Sequence, residues 1–275
     1  KNTRAWGSVA LQGAGSKKSQ LSNIVFDGGS GDVSGHIKYT GALSIQNTND
    51  ITIKNILMKN NSNFDDMFHI VYVDNIKLDN INIENSNMDA IDIDMSNNVE
   101  IVNTKISQSG NDGIDLMESD VIISNVKIQN SGDKAISVGE NSFMILNNSS
   151  ISKNNIGVAT KDKSISFIIN SNLINNNVSL NNYKKNWQYG SGGITKVYRS
   201  KLNNKKNISI DKHSAIQIFN TDLDNINFKE KKFLKKNKKN NFSLLNSNEY
   251  KKIVKKLTDK KIIVINDVNY IGSNN

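Results

Sequence analysis

Five short apolar strands in this chain end on the same residue at nearly the same interval. ITIKN from Ile51, IKLDN from Ile76, VEIVN from Val99, VIISN from Val121 and FMILN from Phe143 place Asn55, Asn80, Asn103, Asn125 and Asn147 at spacings of 25, 23, 22 and 22. Asn170 continues the series, Asn23 begins it before an insertion, Arg199 holds the slot on a later turn, and Asn220 resumes it. Asparagine tolerates the left-handed backbone of a tight corner, and its amide can bond the same amide one rung away. A fixed period of this length therefore predicts identical turns stacked in register, with each amide buried between its neighbours.

A second strand per repeat supports the geometry. GALSI, MFHIV, AIDID, GIDLM and AISVG put Leu43, Phe68, Ile91, Ile114 and Ile136 in one inward column, with Ile45, Ile70, Ile93, Leu116 and Val138 two residues on. Such alternation gives one buried face and one wet face, and helical spacing is missing. The expected fold is all-β: a right-handed parallel β-helix over residues 1–224 with coils of about 20–25 residues. Residues 225–275 are expected to form a basic linker and a small α/β cap. There Ser247 or Asn248 would cap a helix bearing Tyr250, Ile253, Val254 and Leu257, followed by a strand from Ile262 to Ile265. A cap would cover the unpaired edge that ends any solenoid.

Composition fits a high-surface repeat. The 275 residues are 36% hydrophobic and contain no proline, where average usage predicts about 14. Ladders bonded on both sides exclude proline, and an AT-rich coding sequence accounts for the same absence. Without cysteine there is no disulfide, zinc finger or cysteine nucleophile. No run of 18 apolar residues spans a membrane, and P-loop, Rossmann, Gly-x-Ser-x-Gly and zinc-type spacings are missing. The opening KNTRAWGSVALQG, with neither initiator Met nor leader-like segment, is expected to belong to a longer polypeptide. Residues 1–140 carry 11 basic and 18 acidic side chains, and residues 141–275 carry 24 and 8, within a net charge of +9. The basic run FKEKKFLKKNKKNN reads as a solvated tail, an acidic-glycan or lipid contact, or a nucleic-acid contact. Its few aromatics argue against nucleic acid.

The acids of the first half fall in columns. His69, Asp92, Asp115 and Ser137 share one outward position on successive coils, and Asp94 flanks them. Asp66, Asp89 and Asp112 form a second column that ends at Lys134, and Glu118 and Glu140 repeat at the following turn. Rungs lie about 4.8 Å apart, so stacked carboxylates repel until one takes a proton or a cation is shared. Three readings remain open for them: turn residues that cap backbone amides, a cation or sugar surface, or an acid and base set.

The stretches WGSVALQGAG, FDGGSGDVSGHIKYTGALSI, NDGIDLMESDVIISN and GDKAISVGENS resemble the pectin-lyase-like β-helical region of bacterial surface or secreted proteins, often found downstream of spore-coat-H-type kinase domains. The likeness runs from Trp6 to Leu223 and implies a secreted or cell-envelope setting and contact with polysaccharide. SGNDGID and SGDKAIS are also similar to the aspartate turns of polygalacturonases, with Asp112, Asp115 and Asp133 on matching positions. Lys134 stands where that family has a paired acid, and NNIGVAT replaces its Gly-His-Gly turn. Likeness to pectate lyases implies calcium, for which Asp92 and Asp115 are the candidate ligands. The expected function is a polysaccharide-binding module, for an acidic glycan and calcium-assisted. The alternatives are a polysaccharide lyase or glycoside hydrolase, and a structural surface spacer. The catalytic candidates are Asp112, Asp115, Lys134 and His69; the substrate-binding candidates are Asp66, Asp89, Asp92, Asp94, Glu118 and Glu140. No second lysine is expected near Lys134 to neutralise a uronate.

Overall fold

Residues 6–63, 65–219, 221–224 and 242–244 are described by a computed structural model of the chain. The expected cap, the basic run and Asn220 lie outside them, apart from one strand. The architecture is a parallel β-solenoid of about eight turns. Each coil makes three short strands separated by corners. The first face holds Val9–Gln12, Ile91–Asp94, Ile114–Met117, Lys134–Gly139, Ile156–Lys161, Val178–Tyr183 and Lys206–Ile210, all parallel. The second holds Asn97–Val102, Asp120–Ser124, Phe143–Asn147, Ile165–Ile169, Ile194–Tyr198 and Ala215–Phe219; the third begins at Lys105–Ser109 and ends at Asp222–Asp224. Leu43–Lys59 and Phe68–Ser86 run through their corners as continuous strands. Phe242–Leu244, inside the segment expected to be a linker, pairs with Ala215–Phe219.

The two inward columns hold as expected. Leu43 aligns with Phe68, Phe68 with Ile91, Ile91 with Ile114 and Ile114 with Ile136, and all are fully buried. Between coils the fit is close. A Cβ on Gly110 would lie 1.9 Å from the Asn87 carbonyl oxygen, which explains the glycine after Ser109. Gly132 stacks on it one coil later.

The asparagine column exists, but it faces water. Asn55, Asn80, Asn103 and Asn125 have φ of 53, 56, 52 and 55°, with Asn23 at 58° and Arg199 at 46° in the same slot. Asn80 Nδ2 donates to Asn55 Oδ1 at 2.9 Å and Asn55 Nδ2 to Asn23 Oδ1 at 3.0 Å, yet Asn80, Asn103 and Asn125 are not buried. The corner turns outward at these residues, so the expectation of a buried amide is corrected. One member also moves. Ser124 pairs with Asn147, and the residue with φ of 46° that donates to Asn125 at 2.6 Å is Asn148. Phe143 therefore aligns with Asp120, not with Val121. The strand Phe143–Asn147 is apolar on both faces, Met144, Ile145 and Leu146 all being fully buried, so alternation alone leaves its phase undetermined.

What lies inside each corner is hydroxyl. The residue after the left-handed one is Ser or Thr at Ser96, Thr104, Ser119, Ser149, Ser171 and Ser200, all buried. Each closes a gap in the backbone ladder. Ser96 Oγ accepts from Val73 N, Ser119 Oγ from Ser96 N and Ser142 Oγ from Ser119 N, each at 3.0 Å. Thr104, Ser149, Ser171 and Ser200 do the same at a second corner, at 3.1–3.3 Å. Asn154, Asn176 and Asn204 do so at a third.

These roles predict opposite outcomes for two corner substitutions. Ser119→Ala strands the buried Ser96 N–H and should cost about 1–3 kcal/mol. Asn125→Gly keeps the left-handed turn without the exposed amide and should change stability by less than about 1 kcal/mol. Urea denaturation of both variants checks this, and a larger loss for Asn125→Gly would return the outer amides to a supporting role.

Candidate functional site

All ten residues singled out from the sequence lie along the first face. His69 pairs in register with Asp92, Asp92 with Asp115 and Asp115 with Ser137, giving the outward column its expected order. Asp94 lies beside Met117 on the flanking column. Asp66, Asp89, Asp112 and Lys134 stack two positions before the inward residues Phe68, Ile91, Ile114 and Ile136, and Glu118 and Glu140 turn the corner after the strands with φ of 47 and 52°.

Depth divides this set. Asp66, Asp89 and Asp112 are 3, 9 and 2% exposed. Asp89 Oδ1 accepts from Asp112 N at 2.7 Å and from Asn111 Nδ2 at 2.8 Å, while Asp112 Oδ1 accepts from Lys134 N at 2.8 Å. These acids brace one coil to the next. Lys134 Nζ also lies 3.3 Å from Asp112 Oδ2 and is bonded to Asp133. Burial alone would depress the Lys134 ammonium, but Asp112 and Asp133 outweigh it and its pKa rises. Burial pushes the Asp112 carboxyl up to about 7 against the pull of Lys134. Asp66 is likewise raised to about 7 by burial, although a hydrogen bond from Thr40 and the charge of His69 oppose it. Asp89 is raised by burial too. Asp92 goes furthest, to about 10, through burial followed by the charges of Asp66, Asp94 and Asp115.

One cluster combines nitrogen and oxygen. His69 Nε2 stands 3.5 Å from Asp94 Oδ2 and 3.9 Å from Asp92 Oδ2. Asp115, the other expected cation ligand, is the register partner of Asp92, but its Oδ1 accepts from Leu116 N at 3.0 Å and it stands outside this group.

Three features went unread in the sequence. The first is Lys161, in register with Gly139 and 5% exposed. Its side chain folds back over that glycine, where a Cβ would meet Lys161 Cε at 2.3 Å. Lys161 closes the strand whose first residue, Ile156, pairs with Lys134, so the two lysines stand at opposite ends of neighbouring rungs, and both oppose the burial that raises the pKa of the Tyr183 hydroxyl. The second is the loop after Val178–Tyr183. Asp162 Oδ1 accepts from Lys185 N and Asn186 N, each at 2.7 Å, and Asn186 caps the short turn Trp187–Tyr189. The third is what that turn carries. Tyr189 Oη donates to Glu118 Oε1 at 3.0 Å, while Trp187 stands 80% exposed. Insertions have no partner in the repeat, so no periodicity announces them.

The face therefore runs from an acid cluster around Asp92 to Lys134 at the start of one strand and Lys161 at the end of the next, with an aromatic lip on its later coils. No protein-family model matches the chain, and no curated protein matches it. Solved structures do. Alginate lyase from Paenibacillus sp. str. FPU-7 superposes with a TM-score of 0.60 at 12% identity, covering 89% of this chain and 93% of that one. The shared fold is a parallel β-helix. A variant of the GH87 alpha-1,3-glucanase catalytic domain in complex with nigerose gives 0.50 at 11% identity, over 80% of this chain and 53% of that one. At such identities the likeness describes the backbone alone.

The raised carboxyls fix a pH dependence. A carboxyl whose folded pKa lies above its unfolded value contributes stability that is complete at low pH and lost as pH rises through the folded value. For Asp66 and Asp112 that window runs from the ordinary 3.8 up to about 7. In the presence of EDTA the Tm should be higher at about pH 5 than at about pH 8, and Asp66→Asn should narrow the difference. Thermal melts by circular dichroism read this out, and a Tm that climbs toward pH 8 would mean that these carboxyls are ionised and compensated in the fold.

Proposed function

We propose that the first face binds an acidic polysaccharide in a secreted or cell-envelope setting. The observation that carries this reading is the aromatic lip at the end of the face where Lys161 closes its strand. Trp187 exposes 80% of its surface on a turn tied down at both ends by Asp162 and by the Tyr189 to Glu118 bond. An indole held rigid and left in water suits stacking against the apolar face of a sugar ring, since little freedom is lost on contact. Lys161 supplies positive charge for a uronate carboxylate, Lys134 being already paired with Asp112 and Asp133. The elongated, open face accommodates a polymer. Support of a looser kind comes from the structures that share the fold, named as an alginate lyase and an alpha-1,3-glucanase in complex with nigerose.

An enzyme acting on acidic glycans is the second reading, favoured by Asp92 and Asp115 standing one rung apart. That separation, about 4.8 Å, approaches the carboxyl spacing of retaining glycosidases. Lyase chemistry would use Lys134 or His69 as base instead.

Affinity electrophoresis on gels cast with polyuronates and neutral glycans tests the proposal, with parallel assays for new reducing and unsaturated ends. Retention on polyuronate gels is expected, weakened about tenfold or more by Trp187→Ala and by Lys161→Met, which is ~1.4 kcal/mol or more. Turnover is expected to stay at background. Cleavage that Asp112→Asn, Asp115→Asn and Lys134→Ala each lower about a hundredfold would transfer the protein to the enzyme reading. Absence of retention on every glycan would sink the binding proposal.

A further inference from the structure

Two neighbouring coils aim three acceptor atoms at one point on the first face. His69 Nε2 lies 3.5 Å from Asp94 Oδ2 and 3.9 Å from Asp92 Oδ2, and the three potential ligand atoms fall within 4.8 Å of one another. His69 is 8% exposed, yet Nε2 has no hydrogen-bond partner. At these separations neither carboxylate serves as one.

The other ring nitrogen sets the orientation. Nδ1 lies 2.8 Å from Thr40 Oγ1. A threonine hydroxyl has one proton to give. Where Thr40 Oγ1 accepts from Nδ1–H, the ring turns its Nε2 lone pair toward the two carboxylates. A histidine held through its far nitrogen in this way is the usual support of a metal-ligating imidazole.

Geometry and donor type agree on the class of ion. Zinc bonds of about 2.0–2.1 Å at the tetrahedral angle set ligand atoms about 3.3 Å apart. The two histidine to carboxylate separations are close to that, and small carboxylate rotations close the remainder. Calcium takes about six to eight oxygens, whereas imidazole suits zinc and its neighbours in the first transition row. Asp92 and Asp94 side chains are 22 and 19% exposed, so a fourth position faces the groove.

We propose that His69, Asp92 and Asp94 bind one divalent ion of the zinc class, with Thr40 as a positioning residue and one coordination position open to the face. This replaces the calcium pair Asp92 and Asp115 expected from the sequence. It stands whether or not the face takes a glycan.

The test uses the whole chain after chelator treatment, titrated calorimetrically with zinc chloride and with calcium chloride, and with cobalt(II) as a spectroscopic probe. One zinc per chain is expected, undisturbed by an equal concentration of calcium, and cobalt should give the strong visible absorption of a four-coordinate site. H69Q and D94N should each weaken zinc binding about tenfold or more, and T40V should weaken it to a smaller degree while shifting the cobalt spectrum. Circular dichroism reports whether each variant folds. Zinc binding unchanged in folded H69Q, displacement of zinc by calcium, or no zinc binding at all overturns the proposal. If H69Q does not fold, D94N and the wild-type cobalt spectrum decide, and weak six-coordinate absorption overturns it.

Discussion

Hydrogen bonding between coils is the constraint on which everything else in this protein depends. A single coil can pair neither its strands nor its corners; its N–H and C=O groups find partners only in the coils before and after. Regular ladders serve the strands, but a corner breaks the pattern and leaves a buried N–H exposed to a penalty of about 1–3 kcal/mol. Ser96, Ser119, Ser142 and their counterparts at the other corners meet that demand by lending a side-chain oxygen to the coil below. The left-handed residue just before each hydroxyl, at Met95, Asn103, Glu118, Asn148, Asn170 and Arg199, aims it inward. Corner and core are thus one device.

The same stacking creates the electrostatics of the first face. In an irregular fold, two acids meet when the chain happens to bring them together. Here any residue type kept at one repeat position becomes a line of charge at rung spacing. Asp89 and Asp112 show how the solenoid absorbs part of that repulsion, by turning carboxylates onto backbone amides of the next coil. Where the column changes to Lys134 the acids gain a counter-charge. Around Asp92 burial and the charges of Asp66, Asp94 and Asp115 act together, and its carboxyl is raised to about 10.

Much of this was legible in the sequence because a solenoid writes its contacts as a period. Leu43 through Ile136, the acid columns and the Asp112 to Lys134 pairing all follow from counting residues. The slip at Asn147 has a local cause. An extra left-handed residue, Asn141, enters the corner before Phe143, and the strand after it is apolar on both faces. The hydroxyl ladders were equally periodic, but a serine after an asparagine reads as ordinary loop until its partner is known. Lys161 and the turn bearing Trp187 lay beyond any counting argument. One depends on a side chain bending back over a glycine, and the other on a segment that occurs once.

The outward column of the first face accepts His69, Asp92, Asp115, Ser137, Ala159, Asn181 and Ser209 in turn, at a single repeat position and without change of register. Seven places thus take five residue types, because the ladder bonds come from the backbone and the inward apolar packing from the residues on either side. Chemistry on this surface is therefore free to diverge by single substitutions, each tried against an unchanged backbone and each within a rung of its neighbour. In such a protein the inheritance of fold and the inheritance of activity are separable, residue by residue, along one visible line.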